Sequence, residues 1–252
     1  MRRLFDYWPQ ISSRIRSAGS VALFLDFDGT LTPIRATPDE VQLSQPTRLA
    51  IARLAGNPRA RVWVISGRRR ADVRNKTAVA GVQYLGLHGW EGRLETPLSA
   101  ETRRAIQDAK RTLVSDVEPL RGIWVEDKGP TFALHYRGAT DDESKLASAS
   151  VREVMARLDG GFRLLHGKKV SEILPRELGN KGSAVRRELT RIDNRALPIY
   201  IGDDLTDESA FSALPQGLTI RVGQRSVTRA QFQLFDPGDV RRFLGKLEFE
   251  LS

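Results

Sequence analysis

The chain has 252 residues, 40% of them hydrophobic and 28% charged, enough to bury the core of one large domain or two modest ones. It has no cysteine, which excludes disulfides, thiolate nucleophiles and cysteine metal sites, and its three histidines (His88, His135 and His166) are too scattered for a multi-histidine metal centre. The net charge of +9 calls for an anionic partner, but the arginines stand in short groups without a nucleic-acid-binding signature, which favours small anions over nucleic acid. Chemistry must therefore run on carboxylates, hydroxyls and lysine.

The opening segment, MRRLFDYWPQISSRIRSAGS, lacks the continuous apolar stretch of a signal peptide or membrane span and reads as a leading helix of a cytoplasmic protein without a membrane partner. After it, short apolar runs that end in acids or glycine recur: 21–25, 61–65, 82–87 and 198–201, the pattern of buried parallel strands that feed functional loops. Helical stretches at 46–56, 68–80, 181–191 and 206–213 alternate with them. The alternation predicts an α/β fold, a doubly wound parallel sheet with its site at the carboxyl ends of the strands.

The middle of the chain breaks that rhythm. A helix (101–118), two strands (122–126, 131–136), a second helix (141–159) and two more strands (162–165, 169–174) give the order αββαββ. This predicts an α+β module at 100–174 inserted into a core made of 1–99 and 175–252.

The strongest chemical signal is Asp26-Phe-Asp28-Gly-Thr30 at the end of the first strand, where residues two apart face the same side. Alone, an Asp-Gly step is as consistent with an ordinary turn. A second acid group, Asp203, Asp204, Asp207 and Glu208, follows the strand at 198–201, and together the two groups form an oxygen-rich set suited to magnesium. These acids also fit the cap and first turn of the next helix; both roles are compatible, with Asp203 the preferred ligand and Asp204 and Asp207 in support. Ser66-Gly67-Arg68 ends a strand and opens a helix, either as a plain N-cap or as a holder of phosphate oxygens. Lys181, opening another helix, is either solvated or the fixed positive charge that phosphoryl transfer needs.

In this order the four pieces resemble the haloacid dehalogenase superfamily across nearly the whole chain: DxDGT at 26–30, the serine at 66, the lysine at 181 and GDDxxD at 202–207. The resemblance implies that Asp26 is a nucleophile forming an aspartyl phosphate and that Asp28 is the acid and then the base. Ser66 and Lys181 would hold phosphoryl oxygens, and magnesium would sit on Asp26, Asp203 and the carbonyl of Asp28. The stretch between Asp28 and Ser66 is too short for an inserted domain, so the module lies between the serine and lysine motifs, as in the sugar-phosphate branch.

The strings DFDGTLTPI (26–34), ISGR (65–68), GLHG (86–89), GKKVSEILP (167–175), NKG (180–182) and YIGDDLTDE (200–208) are similar to the trehalose-6-phosphate phosphatase family. The chain departs from it in carrying Phe27 where tyrosine is frequent and Leu174 where arginine is common. The expected substrate-binding residues are Gly67, Arg68 and His88, together with Glu126, Lys128, His135, Lys169 and Glu172 of the inserted module, since carboxylates and lysines suit sugar hydroxyls. His135 fits a surface position equally well. The resemblance implies hydrolysis of trehalose 6-phosphate; another glycosyl phosphate, such as mannosyl-3-phosphoglycerate or sucrose 6-phosphate, is the alternative. A non-catalytic polyanion-binding module is the reading from a different class.

Overall fold

Val21–Asp26 is buried along its whole length because each face of its apolar run meets a different helical layer. Val21, Leu23 and Leu25 pack with Ile11, Ile15, Ile51, Leu54, Phe243 and Leu247; Ala22 and Phe24 pack with Trp63, Ala184, Val185 and Phe211. Truncating Leu23 or Leu25 to alanine would cost about 2–5 kcal/mol, the usual price of a core cavity. The computed structural model describes residues 2–252 apart from 36, 38, 93–96, 159, 168, 225 and 226. The expected helix end at Asp159 and the Lys168 of GKKVSEILP therefore lie outside the described residues.

In chain order the elements begin with β1 (Arg2–Arg3), α1 (Trp8–Ser17), β2 (Val21–Asp26), α2 (Gln45–Gly56), β3 (Ala60–Ile65), α3 (Arg70–Thr77) and β4 (Gln83–Leu85). They continue with α4 (Ala100–Val117), β5 (Trp124–Asp127), β6 (Phe132–His135), α5 (Asp141–Arg157), β7 (Phe162–Gly167) and β8 (Val170–Pro175). The last are α6 (Lys181–Leu189), β9 (Leu197–Gly202), α7 (Glu208–Ala213), β10 (Leu218–Val222), β11 (Phe232–Leu234) and α8 (Pro237–Leu251). Among the described residues no helix is long and apolar enough to cross a membrane.

The chain divides into two compact units, Met1–Arg93 with Gly179–Ser252, and Leu94–Leu178. The first holds a seven-stranded sheet, order β1-β11-β10-β9-β2-β3-β4, with every pairing parallel. Connections run outward from β2 on one side and from β9 on the other, so the carboxyl ends of β2 and β9 flank the crevice where ligands bind in such sheets. The second unit holds an antiparallel sheet, order β5-β6-β8-β7, with α4 and α5. Thr140 and Glu143 form a capping box at the start of α5, which fixes where that helix begins.

Several boundaries differ from the sequence reading. The expected helix over 68–80 is Arg70–Thr77, because Ala78 turns left-handed (φ 48°) and ends it. The strand expected over 82–87 stops at Leu85, since Leu87 and His88 also take positive φ and open a turn. Beyond 213 the chain adds β10, β11 and α8, which the sequence reading leaves unassigned. The buried Val240, Phe243, Leu244, Leu247 and Leu251 of α8 follow helical spacing.

Candidate active site

The loop after β2 is built around Phe27, whose carbonyl accepts from Leu31 N (3.0 Å), Thr32 N (3.2 Å) and Thr32 Oγ1 (3.2 Å). This folds Asp28-Gly-Thr30 back over the strand end. Gly29 sits at φ +86°, and a Cβ there would lie 2.1 Å from Asp203 Oδ2, so only glycine lets the two loops approach. Thr30 Oγ1 then donates to Asp203 Oδ1 at 3.1 Å.

Asp26 is buried at the end of β2 and accepts from Lys181 Nζ at 2.6 Å. The same ammonium donates to Asp207 Oδ1 at 2.8 Å, and Tyr200 OH donates to that oxygen at 2.7 Å. Asp207 Oδ2 accepts from Asp204 N at 2.8 Å, so both oxygens of Asp207 are occupied. Asp26, Asp203 and Asp207 each offer an oxygen within 4.8 Å of the others. Three carboxylates against one ammonium leave negative charge in excess.

The electrostatics show that excess. Burial, only partly countered by Lys181 and reinforced by Asp207 and Asp203, pushes the Asp26 carboxyl well above the usual range. Burial and then Asp207 push Asp203 up to about 7. Burial works against the Lys181 charge, but Asp207 and Asp26 outweigh it and raise its pKa, so it stays an ammonium. A divalent cation among these oxygens would relieve the repulsion, and an all-oxygen donor set is what hard ions such as magnesium take.

Asp28 and Asp204 lie outside that three-acid group. Asp28 forms a bidentate pair with Arg68, whose Nε and Nη2 donate to Oδ2 and Oδ1 at 2.7 and 2.8 Å, while Arg68 Nη1 reaches Asp72 at 2.8 Å. Asp204 caps the following turn, its Oδ1 accepting from Leu205 N at 2.7 Å. Ser66, buried at the end of β3, accepts from Arg68 N at 3.1 Å. The loop Gly86–Gly89 is laid onto 66–68: Leu87 N donates to Arg68 O and His88 N to Ser66 O, each at 2.8 Å. A Cβ on Gly67 would come within 2.8 Å of His88 Cε1, which explains glycine there.

In the second unit, Lys128 Nζ pairs with Glu172 Oε1 at 3.3 Å and with Glu126 Oε2 at 3.9 Å. His135 Nε2 and Glu126 Oε2 lie 2.8 Å apart, and Thr131 Oγ1 donates to Glu172 at 2.9 Å. Burial would raise the Glu126 carboxyl, but His135 and Lys128 together hold it below its ordinary value. Lys169 is exposed at the β7–β8 turn with φ 62°, next to Val170, which lies opposite His135.

Sequence reasoning missed Thr30, Tyr200, Asp72, Thr131 and Arg221. Arg221, buried on β10, donates to the backbone carbonyls of Asp203 and Asp204 and pairs with Glu208 at 3.4 Å. An arginine inside an otherwise apolar strand, Leu218–Val222, is the signal that marks it.

A doubly wound parallel sheet with these acids at its central strand ends, and a separate small antiparallel sheet, is a fold shared with a haloacid dehalogenase-like hydrolase from Bacteroides thetaiotaomicron, with a TM-score of 0.66 at 16% identity over 90% of this chain and 97% of that one. The chain is 33% identical to the trehalose 6-phosphate phosphatase RA3 of Zea mays over 90% of this chain and 69% of that one. It is 34% identical to the trehalose-phosphate phosphatase of Mycobacterium marinum over 92% of this chain, spanning 62% of that protein. The C-terminal domain of a C. albicans trehalose-6-phosphate phosphatase shares the fold, with a TM-score of 0.84 at 23% identity over 97% of this chain and 98% of that one. The family model for trehalose-phosphatase matches residues 24–233, and the chain belongs to that family.

Proposed function

We propose that the protein hydrolyses trehalose 6-phosphate to trehalose and phosphate through an aspartyl phosphate on Asp26. The observation that carries this reading is the group of buried Asp26, Lys181 and Asp207 with half-buried Asp203 in a chain of the trehalose-phosphatase family. Phosphate monoesters hydrolyse extremely slowly without an enzyme, so charge neutralisation, and a covalent intermediate that splits one difficult step into two easier ones, both suit the task. One oxygen of Asp26 attacks phosphorus and the bond to the sugar oxygen breaks; Asp28, released from its pair with Arg68 and protonated, gives that oxygen a proton. Water then attacks the aspartyl phosphate, Asp28 takes its proton, and phosphate leaves with Asp26 restored as a carboxylate.

Lys181 neutralises phosphoryl oxygens beside Asp26, and Ser66, with the backbone and side chain of Gly67-Arg68, holds the others. His88, packed under Gly67, fixes that loop. Magnesium, held by Asp26, Asp203 and the Asp28 carbonyl, would supply charge neutralisation at the phosphoryl group. Asp207, with both oxygens already taken, and Asp204, a cap, support the loop that carries Asp203. The first unit is the catalytic core and the second a cap, in which Glu126, Lys128, His135, Lys169 and Glu172 read sugar hydroxyls.

The test is phosphate release from trehalose 6-phosphate, sucrose 6-phosphate and mannosyl-3-phosphoglycerate, with magnesium and with excess EDTA. Fastest turnover of trehalose 6-phosphate, stopped by EDTA, is the expected result. Preference for another member of the panel would move the reading to that sugar, and release from none would remove it.

A further inference from the structure

Alternation along the edge strand β5 sorts its side chains onto two faces. Asp127 pairs with Lys110 of α4, so Val125 and Asp127 belong to the helix side, and Trp124 and Glu126 to the other face of the sheet. Trp124 is 46% exposed, a large apolar surface beside the charged group of Glu126, Lys128 and Glu172. It is also fixed in place. Its indole stacks on the His135 ring at 4.0 Å with planes 6° apart, His135 sits directly opposite it across the strands, and Glu126 holds the same imidazole at 2.8 Å.

We propose that Trp124, with its plane set by His135 and Glu126, is the stacking surface for a pyranose ring of the substrate. A pyranose presents a face of C–H bonds whose slightly positive hydrogens suit the negative face of an aromatic ring. The hydroxyls at the rim of such a ring need acceptors and donors, and Glu126, which holds the stacked imidazole and pairs with Lys128 at 3.9 Å, brings both to that face. A wide flat anchor with few rotatable bonds loses little freedom on binding, which makes tryptophan effective in this role. The inference rests on the reading of the protein as a sugar phosphatase and adds to it the residue that selects for the ring itself.

The experiment compares wild type, Trp124→Ala and Trp124→Phe with trehalose 6-phosphate and with p-nitrophenyl phosphate, which has no pyranose. Trp124→Ala should lower kcat/KM for the sugar about ten- to fiftyfold, mostly through KM, with p-nitrophenyl phosphate changed less than about twofold, and Trp124→Phe should recover most of the loss. Trehalose alone should shift the intrinsic fluorescence of wild type and not of Trp124→Phe. An equal fall with both substrates would show that the stack serves the fold, and no fall with either would also overturn the proposal. If wild type hydrolyses no sugar phosphate, the functional reading fails separately; the trehalose fluorescence titration then decides the stacking surface, and absence of a Trp124-dependent change overturns it.

Discussion

The acids at the carboxyl ends of β2 and β9, aspartates, and those on the sheet of β5, β6 and β8, glutamates, carry the same carboxyl group under different conditions. In the first unit Asp26, Asp207 and Lys181 are almost fully withdrawn from water, with side-chain exposures of 7%, 0% and 3%. In the second, Lys128 and Glu172 keep 10% and 9%, while Glu126 and His135 keep 31% and 18%. Buried charge strengthens every interaction and penalises every mismatch, as the raised Asp26 and Asp203 carboxyls show. Charge at a partly wet surface is more forgiving, and Glu126 settles below its ordinary value with the His135 imidazole and the Lys128 ammonium near it. The first arrangement suits a reaction that develops charge at one fixed point; the second suits reading hydroxyls that differ between substrates.

Substitution in the two places should therefore fail differently. Asp26→Asn keeps the shape and removes the nucleophile, and it should lower phosphate release from every substrate by more than about a thousandfold while circular dichroism stays that of wild type. A well-folded variant with a tenth of the wild-type rate would remove Asp26 from the mechanism. Glu126→Ala and Glu172→Ala should cut hydrolysis of trehalose 6-phosphate roughly ten- to a hundredfold, since a charged hydrogen bond contributes about 1.5–3 kcal/mol. Hydrolysis of p-nitrophenyl phosphate should change only a fewfold; a matching loss there would place these glutamates in support of the fold. A smaller effect is expected at Arg221. Arg221→Met leaves two backbone carbonyls and Glu208 without their cation, costing about 1–3 kcal/mol, or roughly 3–10 °C in Tm by differential scanning calorimetry. An unchanged Tm would show that water replaces the guanidinium at no cost.

How much of this the sequence displays depends on how local the signal is. The parallel sheet is legible because β2, β3 and β9 are continuous apolar runs with glycine or acid at their ends, and the αββαββ order of the inserted module follows from period and turns. Asp26, Asp203 and Lys181 are legible because each sits at a strand end or helix start. Tyr200 is not, since in sequence it is one more aromatic in an apolar strand, and only the fold brings its hydroxyl to Asp207. The pairing of Asp28 with Arg68 spans 40 residues and needs β2 beside β3 to exist. Strand alternation places Asp26 and Asp28 on one side, but the turn around the Phe27 carbonyl redirects the chain, and Asp28 goes to Arg68 while Asp26 joins Lys181. Trp124 reads from sequence as a strand former, and its exposure is a property of the sheet edge alone.

The smallest expected effect bears on the charge excess in the first unit. In metal-free protein the Asp203 carboxyl is raised from an ordinary value of 3.8 to about 7, with burial the main cause and Asp207 the next. A carboxyl raised on folding binds its proton more tightly in the folded chain than in the unfolded one, so its contribution to stability is complete below about pH 4 and is lost as pH rises through 7. Asp26 is shifted in the same direction. Glu126, shifted the other way, acts only at more acid pH and leaves the window from pH 5 to 8 undisturbed. In EDTA, Tm should therefore fall by a few degrees more in wild type than in Asp203→Asn between pH 5 and 8. Added magnesium should raise the Tm of wild type more at pH 8 than at pH 5, because its ligands must be deprotonated and only the folded chain gathers them. The same variant should show a reduced magnesium response at pH 8. Equal slopes with pH for wild type and Asp203→Asn in EDTA would mean that Lys181 alone balances the acids and that the cluster requires no second cation.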